Sequence, residues 1–213
     1  MTKIKICGLK NNEDVEFASS IGVDYLGMIF VENVRRKVTL SEAESISNTV
    51  ENIIDAPELV GLFADQPIEV VKKIANEFSL DYVQLCGQEN KEYLNNLDIP
   101  FIKQIKLKED IIFDRVFEEI EFVKSINGMI SVDTYKKGYY GGSGELINLS
   151  HAQNIIDKHD VFLAGGLNLK NITNILDTMN PWAVDISTGV ETNEKKDKYK
   201  IEKFVNSVRE HKN

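Results

Sequence analysis

The sequence predicts a (β/α)8 (TIM) barrel, and two observations carry that expectation. Eight short apolar runs of strand length recur along its 213 residues, and the stretches between them are longer, more polar and spaced like helices. Strand and helix alternate roughly every 20 to 30 residues, the pattern of a parallel sheet with crossover helices. No proline- or serine-rich linker and no shift of composition interrupts the chain, so residues 1–213 read as one domain. Such a barrel would be compact beside the ~250 residues typical of the fold, and a doubly wound sheet is the alternative.

In order, the first strand is KIKIC (3–7), which alternates charged and apolar residues and ends on a cysteine followed at once by Gly8. NNEDVEFASSIG then has helical spacing. The second strand is YLGMIF (25–30), followed by the helical LSEAESISNTVENI. The third is LVGLF (59–63), and Pro67 is placed for the first turn of the helix PIEVVKKIANEF. The fourth, fifth and sixth strands are YVQLC (82–86), FIKQI (101–105) and GMISVD (128–133). VFLAG (161–165) is the seventh, before NLKNITNILDTM, a helix that Asn168 or Asn171 would cap. WAVDIS (182–187) is the eighth, and DKYKIEKFVNSVREH closes the chain as a helix.

Composition narrows the function. The chain is 42% hydrophobic and 28% charged, ordinary for a globular protein, and no run reaches the ~18 apolar residues of a membrane span. It opens on a charged strand rather than a signal peptide, and two distant cysteines make neither a disulfide framework nor a zinc site. Cytoplasm is the expected compartment. A net charge of −9, from 34 acidic and 25 basic residues, argues against nucleic acid or an anionic membrane as partner. His151, His159 and His211 fall in or beside helical segments, so acid–base chemistry is expected from Cys, Asp, Glu, Lys or Tyr.

In barrels of this class function gathers at the carboxyl ends of the strands. Three polar residues, Cys7, Asp133 and Asp185, end apolar strands there. Cys7 reads as a small buried hydrophobe or as a base. Asp133 reads as a turn cap or as the acid that faces Cys7 across the barrel mouth. Arg36, in the loop after strand two, reads as a surface charge or as a bidentate grip on a carboxylate. Glycine-rich loops follow the last three strands: YYGGSGELI, LAGGLNLKN and DISTGVE. They make tight turns, or they cradle a phosphate on backbone amides, with STGVETN suited to a short extra helix.

Taken together, these residues resemble the phosphoribosylanthranilate isomerase family of tryptophan biosynthesis, nearly end to end. KICGLK is similar to its opening K-I-C-G, and Arg36-Lys37-Val38-Thr39 to its R-x-V-S/T. VGLFAD, VQLCGQE and VDTYKKGYYGGSG resemble its third, fourth and sixth strand ends. LAGGLNLKNI and AVDISTGVET resemble the last two. Cys86 stands where the family usually has histidine, and Val34-Arg35 where it has Ser-Pro.

The resemblance implies Cys7 as general base, Asp133 as general acid and Arg36 as the anchor of the anthranilate carboxylate. It implies phosphate on amides near Gly142, Ser143 and Gly144, near Gly165 and Gly166, and near Ser187, Thr188 and Gly189, with Asp185 holding the sugar or the neighbouring loop. The reaction implied is an Amadori rearrangement of N-(5-phosphoribosyl)anthranilate, a small phosphosugar, without metal or organic cofactor. A histidine-pathway isomerase and a pentose-phosphate epimerase fit less well, for want of an aspartate ending strand one or of suitably placed histidines. A phosphate-binding barrel without turnover is the non-enzyme alternative.

Overall fold

The structure, a computed structural model, describes residues 1–134 and 146–211. Its eight main strands are β1 (Lys3–Cys7), β2 (Tyr25–Ile29), β3 (Glu58–Phe63), β4 (Tyr82–Leu85), β5 (Phe101–Leu107), β6 (Met129–Thr134), β7 (Val161–Leu163) and β8 (Ala183–Ile186). They pair in sequence order as a closed parallel barrel. The seam between first and last strands places Lys5 opposite Asp185. A helix follows each strand: α1 (Asn12–Ser20), α2 (Leu40–Glu51), α3 (Ile68–Glu77), α4 (Lys91–Asn95), α5 (Phe113–Ser125), α6 (Leu149–Ile156), α7 (Ile172–Thr178) and α8 (Lys198–Arg209). Between β8 and α8 the chain makes a single 3-10 turn, Thr188–Val190, and a small hairpin of β9 (Glu191–Thr192) and β10 (Lys195–Lys196). The hairpin was not foreseen, because ETNEKK has no apolar alternation to announce it.

Short polar side chains start most of the helices. Asn11, Asn90, Asn148 and Asp197 each accept a backbone N–H from the first turn of α1, α4, α6 and α8. Thr39 and Glu42 form a reciprocal capping box on α2. Pro67 lies one residue ahead of its expected place, at the cap of α3 rather than within its first turn. There its carbonyl accepts from Val70 and Val71, and its missing N–H costs nothing. Asn171 occupies the cap position of α7 but makes no side-chain cap bond. Its Oδ1 accepts instead from the Asn168 N–H, and the Asn168 Oδ1 accepts from the Lys170 N–H, which shapes the turn leading in.

The outer face of the barrel packs on the helices through the larger apolar cluster. The interior is graded. At the amino end Tyr25, Phe162 and Trp182 pack edge to face, with Phe162 centred 5.1 Å from each of the other two rings, and close that end with apolar surface. Above them lies a buried polar layer of Lys5, Gln84, Gln104, Ser131 and Asp185. Packing alone would not select those residues, since burying polar groups is costly unless they are paired. The layer is the floor of a pocket at the carboxyl end.

Candidate active site

Cys7 is the last residue of β1 and is 4% exposed. Gly8 follows with φ +77°, and the N–H groups of Gly8 and Leu9 both donate to the Gly27 carbonyl, which turns the chain sharply off the barrel. Gly27 opposite makes room for the thiol, for a Cβ there would lie 3.0 Å from Cys7 Sγ. Burial pushes the Cys7 thiol up and Asp185 adds to that, while Lys5, Lys196 and Arg36 pull it part of the way back.

Asp133, near the end of β6, is 5% exposed. Its Oδ1 accepts from the Thr134 N–H and its Oδ2 from Gln104 Nε2, both at 2.7 Å. Burial pushes its carboxyl up to about 6, with the charge of Asp185 adding and those hydrogen bonds opposing. About a tenth of such a group is still protonated at pH 7, enough to supply a proton. Among the described residues it caps no helix; the loop that it leads into lies outside the described residues.

Arg36 is nearly buried beside this pair. The Lys37 N–H bonds back to the Val34 carbonyl and the Val38 N–H to the Ile29 carbonyl, both at 2.9 Å, so the loop is pinned on either side of the arginine. Its stem crosses Gly8, where a Cβ would meet Arg36 Cδ at 2.6 Å. Its Nε donates to Glu191 Oε1 at 2.8 Å. Asp185 accepts from Lys5 Nζ at 2.8 Å through Oδ2, while its buried Oδ1 has no partner among the described residues.

Gly165 and Gly166 follow β7 with φ of +96° and +68°, a backbone that favours glycine. After β8, Ser187 Oγ donates to the Cys7 carbonyl at 2.9 Å, which ties this loop to the cysteine. A Cβ on Gly189 would lie 1.9 Å from the Leu167 carbonyl oxygen, so the last two loops touch backbone to backbone. Gly142, Ser143 and Gly144 lie outside the described residues.

One pocket joins these groups. Cys7, Arg36, Asp133, Gly165, Gly166, Asp185, Ser187 and Thr188 all line it; Gly189 adjoins through its contact with Leu167. A thiol, a protonatable carboxyl, a guanidinium and an amide-rich rim thus converge on one volume. That set can move protons on a ligand anchored by its anionic ends.

The sequence matches the family model of N-(5'-phosphoribosyl)anthranilate (PRA) isomerase over residues 4–207. The chain belongs to the phosphoribosylanthranilate isomerase family. It is 35% identical to the N-(5'-phosphoribosyl)anthranilate isomerase of Dehalococcoides mccartyi, over 99% of this chain and 97% of that one. It is 34% identical to the enzyme of the same name from Clostridium acetobutylicum, over the whole of both chains. Among solved structures, the phosphoribosyl anthranilate isomerase of Thermotoga maritima superposes with a TM-score of 0.84 at 28% identity, covering 99% of this chain and 100% of that one. A structure of phosphoribosyl anthranilate isomerase in complex with reduced 1-(o-carboxyphenylamino)-1-deoxyribulose 5-phosphate gives 0.81 at 27% identity, with the same coverage.

Both departures from the isomerase pattern have a structural outcome. Cys86 is buried in the pocket wall, where burial and then Glu89 push its thiol up, and it accepts from Gln84 Nε2 at 3.7 Å. It fills space in the pocket wall. Without the family's proline, the turn at Val34 is held by the backbone bond from Lys37. Arg35 does not line the pocket with Cys7 and Asp133, and reaches instead to Glu191 Oε2 at 2.6 Å and to Glu194.

Four groups in or beside the pocket escaped the sequence reading. Lys5 had a visible signal, because alternation in KIKIC puts it on the same inward face as Cys7. Its ammonium is fully buried, and although burial pulls its pKa down, Asp185 and Cys7 leave it raised. Gln104 had the same signal within FIKQI. Glu191 lies within the DISTGVE motif, which marks the position without giving it a role, and Lys196 had no signal, because only the hairpin returns it to the site. Replacing Gly189 with alanine is expected to force apart the loops after β7 and β8. Measured by isothermal titration with a phosphosugar product analogue, the variant should bind at least about tenfold more weakly, and unchanged binding would show that the two loops move independently.

Proposed function

We propose that this chain catalyses the Amadori rearrangement of N-(5-phosphoribosyl)anthranilate to 1-(2-carboxyphenylamino)-1-deoxyribulose 5-phosphate, a step of tryptophan biosynthesis, with Cys7 and Asp133 as its acid–base pair. The observation that supports it most is the placing of a thiol and a raised carboxyl, from β1 and β6, in one pocket whose wall also carries a nearly buried arginine. Arg36 holds the anthranilate carboxylate, and the amides of Gly165, Gly166, Ser187, Thr188 and Gly189, with Gly142, Ser143 and Gly144, hold the phosphate. Asp185 Oδ1, buried and lacking a partner among the described residues, takes a sugar hydroxyl. The reading brings with it a small-molecule substrate, work in the cytoplasm, and no nucleic-acid or membrane partner; the net charge of −9 supports the last point.

The order of events follows from the electrostatics. Asp133 gives its proton to the furanose ring oxygen, the bond from that oxygen to C1 breaks, and the anilino nitrogen lone pair forms an iminium. The thiolate form of Cys7 then takes the proton from C2; the released pair forms the C1–C2 double bond of an enolamine as the iminium π pair returns to nitrogen. That species becomes the ketose as C1 gains a proton and the C2 hydroxyl loses one. Burial makes a thiolate costly in the free enzyme. A cation forming beside it in the same low-dielectric space offsets that cost, so more of the thiol is ionised at the step that needs the base.

Two measurements check this. Mixed with freshly generated phosphoribosylanthranilate, the purified protein should extinguish the substrate's fluorescence rapidly. No loss, with a stable product analogue still binding, would leave a binding protein. Alkylation of Cys7 by iodoacetamide in the free protein, followed by peptide mapping, should quicken about tenfold per pH unit through pH 8, because the raised thiol is still mostly protonated there. A rate that levels off below pH 8 would mean that a thiolate exists before substrate binds.

A further inference from the structure

We propose that Glu191 is a positioning residue that aims Arg36 at the substrate carboxylate, so that an element outside the barrel sets the enzyme's preference for a carboxylated aromatic ring. The inference rests on the reading of Arg36 given above. Glu191 lies on β9, and its side chain is only 7% exposed. Three cations meet it: Arg36 Nε at 2.8 Å and Lys196 Nζ at 3.0 Å on Oε1, and Arg35 on Oε2 at 2.6 Å. Two of them come from the loop after β2 and one from β10, so the carboxylate clips the hairpin to that loop.

The geometry favours aiming over simple neutralisation. A guanidinium is a rigid planar fork, and fixing its Nε edge fixes the direction of its two terminal nitrogens. Arg36 is therefore held at two points, at its stem by contact over Gly8 and at Nε by Glu191. No described residue takes its terminal nitrogens, which remain for a bidentate carboxylate. Nor does Glu191 cancel the attraction. Three positive charges surround one negative charge, and even with the exposed Glu194 beside Arg35 the cluster stays cationic. Lys196 carries the arrangement on to the phosphate side, since its Nζ also donates to the Ser187 carbonyl at 2.9 Å.

The test is calorimetric binding of two stable ligands, the reduced carboxyphenylamino product analogue and its counterpart lacking the carboxylate. Wild type, Glu191→Ala, Arg36→Met and the double variant are compared. Glu191→Ala should weaken the carboxylated ligand about 10- to 100-fold and the carboxylate-free one less than about threefold. In the Arg36→Met background the same substitution should add nothing for the carboxylated ligand. Glu191→Gln, which keeps one acceptor oxygen for Nε, should recover most of the loss; if the alanine variant does not fold, the glutamine variant shows the same selectivity at smaller size. Equal losses for both ligands, or additive losses in the double variant, would reduce Glu191 to a structural clip and overturn the proposal. If Arg36→Met itself fails to discriminate between the ligands, the reading of Arg36 falls and takes the proposal with it. If Arg36→Met discriminates and Glu191→Ala does not, only the proposal falls.

Discussion

Asp133→Asn is expected to abolish turnover and to stabilise the fold. The loss follows from removing the only proton donor assigned to ring opening, and general acids contribute about 10²–10⁴ in rate. The gain follows from burial. A carboxyl raised from its ordinary 3.8 to about 6 binds more protons in the folded than in the unfolded chain between those two values. Its contribution is complete below about pH 4 and is lost as the pH rises through about 6, a cost of about 3 kcal/mol once ionised. Asparagine does not ionise and avoids that cost. It also has a partner: Gln104 Oε1 has no hydrogen bond among the described residues, and turning that amide over lets it accept from the new Nδ2. Urea unfolding of wild type and variant should show the variant's advantage growing by about 2 kcal/mol from pH 4.5 to pH 8. An advantage that does not change with pH would mean that this carboxyl ionises in its ordinary range.

Cys7→Ala is expected to lower kcat by about 10³ or more while leaving the Kd of the reduced product analogue within a few-fold of wild type. The thiol makes no hydrogen bond to a described residue, alanine removes a single buried atom from the apolar cluster inside the barrel, and it keeps the β1 backbone that accepts from Ser187 Oγ, so stability should move by about 1 kcal/mol or less. Cys7→Ser makes the sharper control. A hydroxyl in the same place is far too weak an acid to become the base, so serine should be as inactive as alanine. Single-turnover kinetics decide the matter. Alanine retaining a tenth of the wild-type rate would sink Cys7 as the base, and an active serine variant would point to a hydrogen-bonding role.

The barrel was legible in the sequence because its signal is local: eight apolar runs, each with a helix after it. So were the residues that end strands, because Cys7, Asp133 and Asp185 are out of place where packing alone would choose apolar side chains. What could not be read is what distant segments do to one another. Lys5 meets Asp185 across 180 positions and Arg36 meets Glu191 across 155, and neither pairing has a local pattern. Gly8 shows the same limit. It reads as a turn, and only the folded chain shows that it is also the surface over which Arg36 crosses. The Asn168–Asn171 turn differs from its expectation for a smaller reason: both side chains bond within the approach to α7 instead of to its first turn.

The seam between β1 and β8 has a consequence for the life of the chain. Cys7 lies on the first strand of the barrel, whereas Lys5's counter-charge on Asp185 and the Ser187 hydroxyl on the Cys7 carbonyl come from the last strand and its loop. Until Ala183–Ile186 has emerged and docked, the thiol has no phosphate rim beside it, and Lys5 holds an unpaired ammonium inside an open sheet. A nascent or prematurely ended chain therefore carries the reactive group without the pocket that gives it work. Activity begins only when the first and last strands of the barrel meet, which makes turnover a report that the barrel has closed.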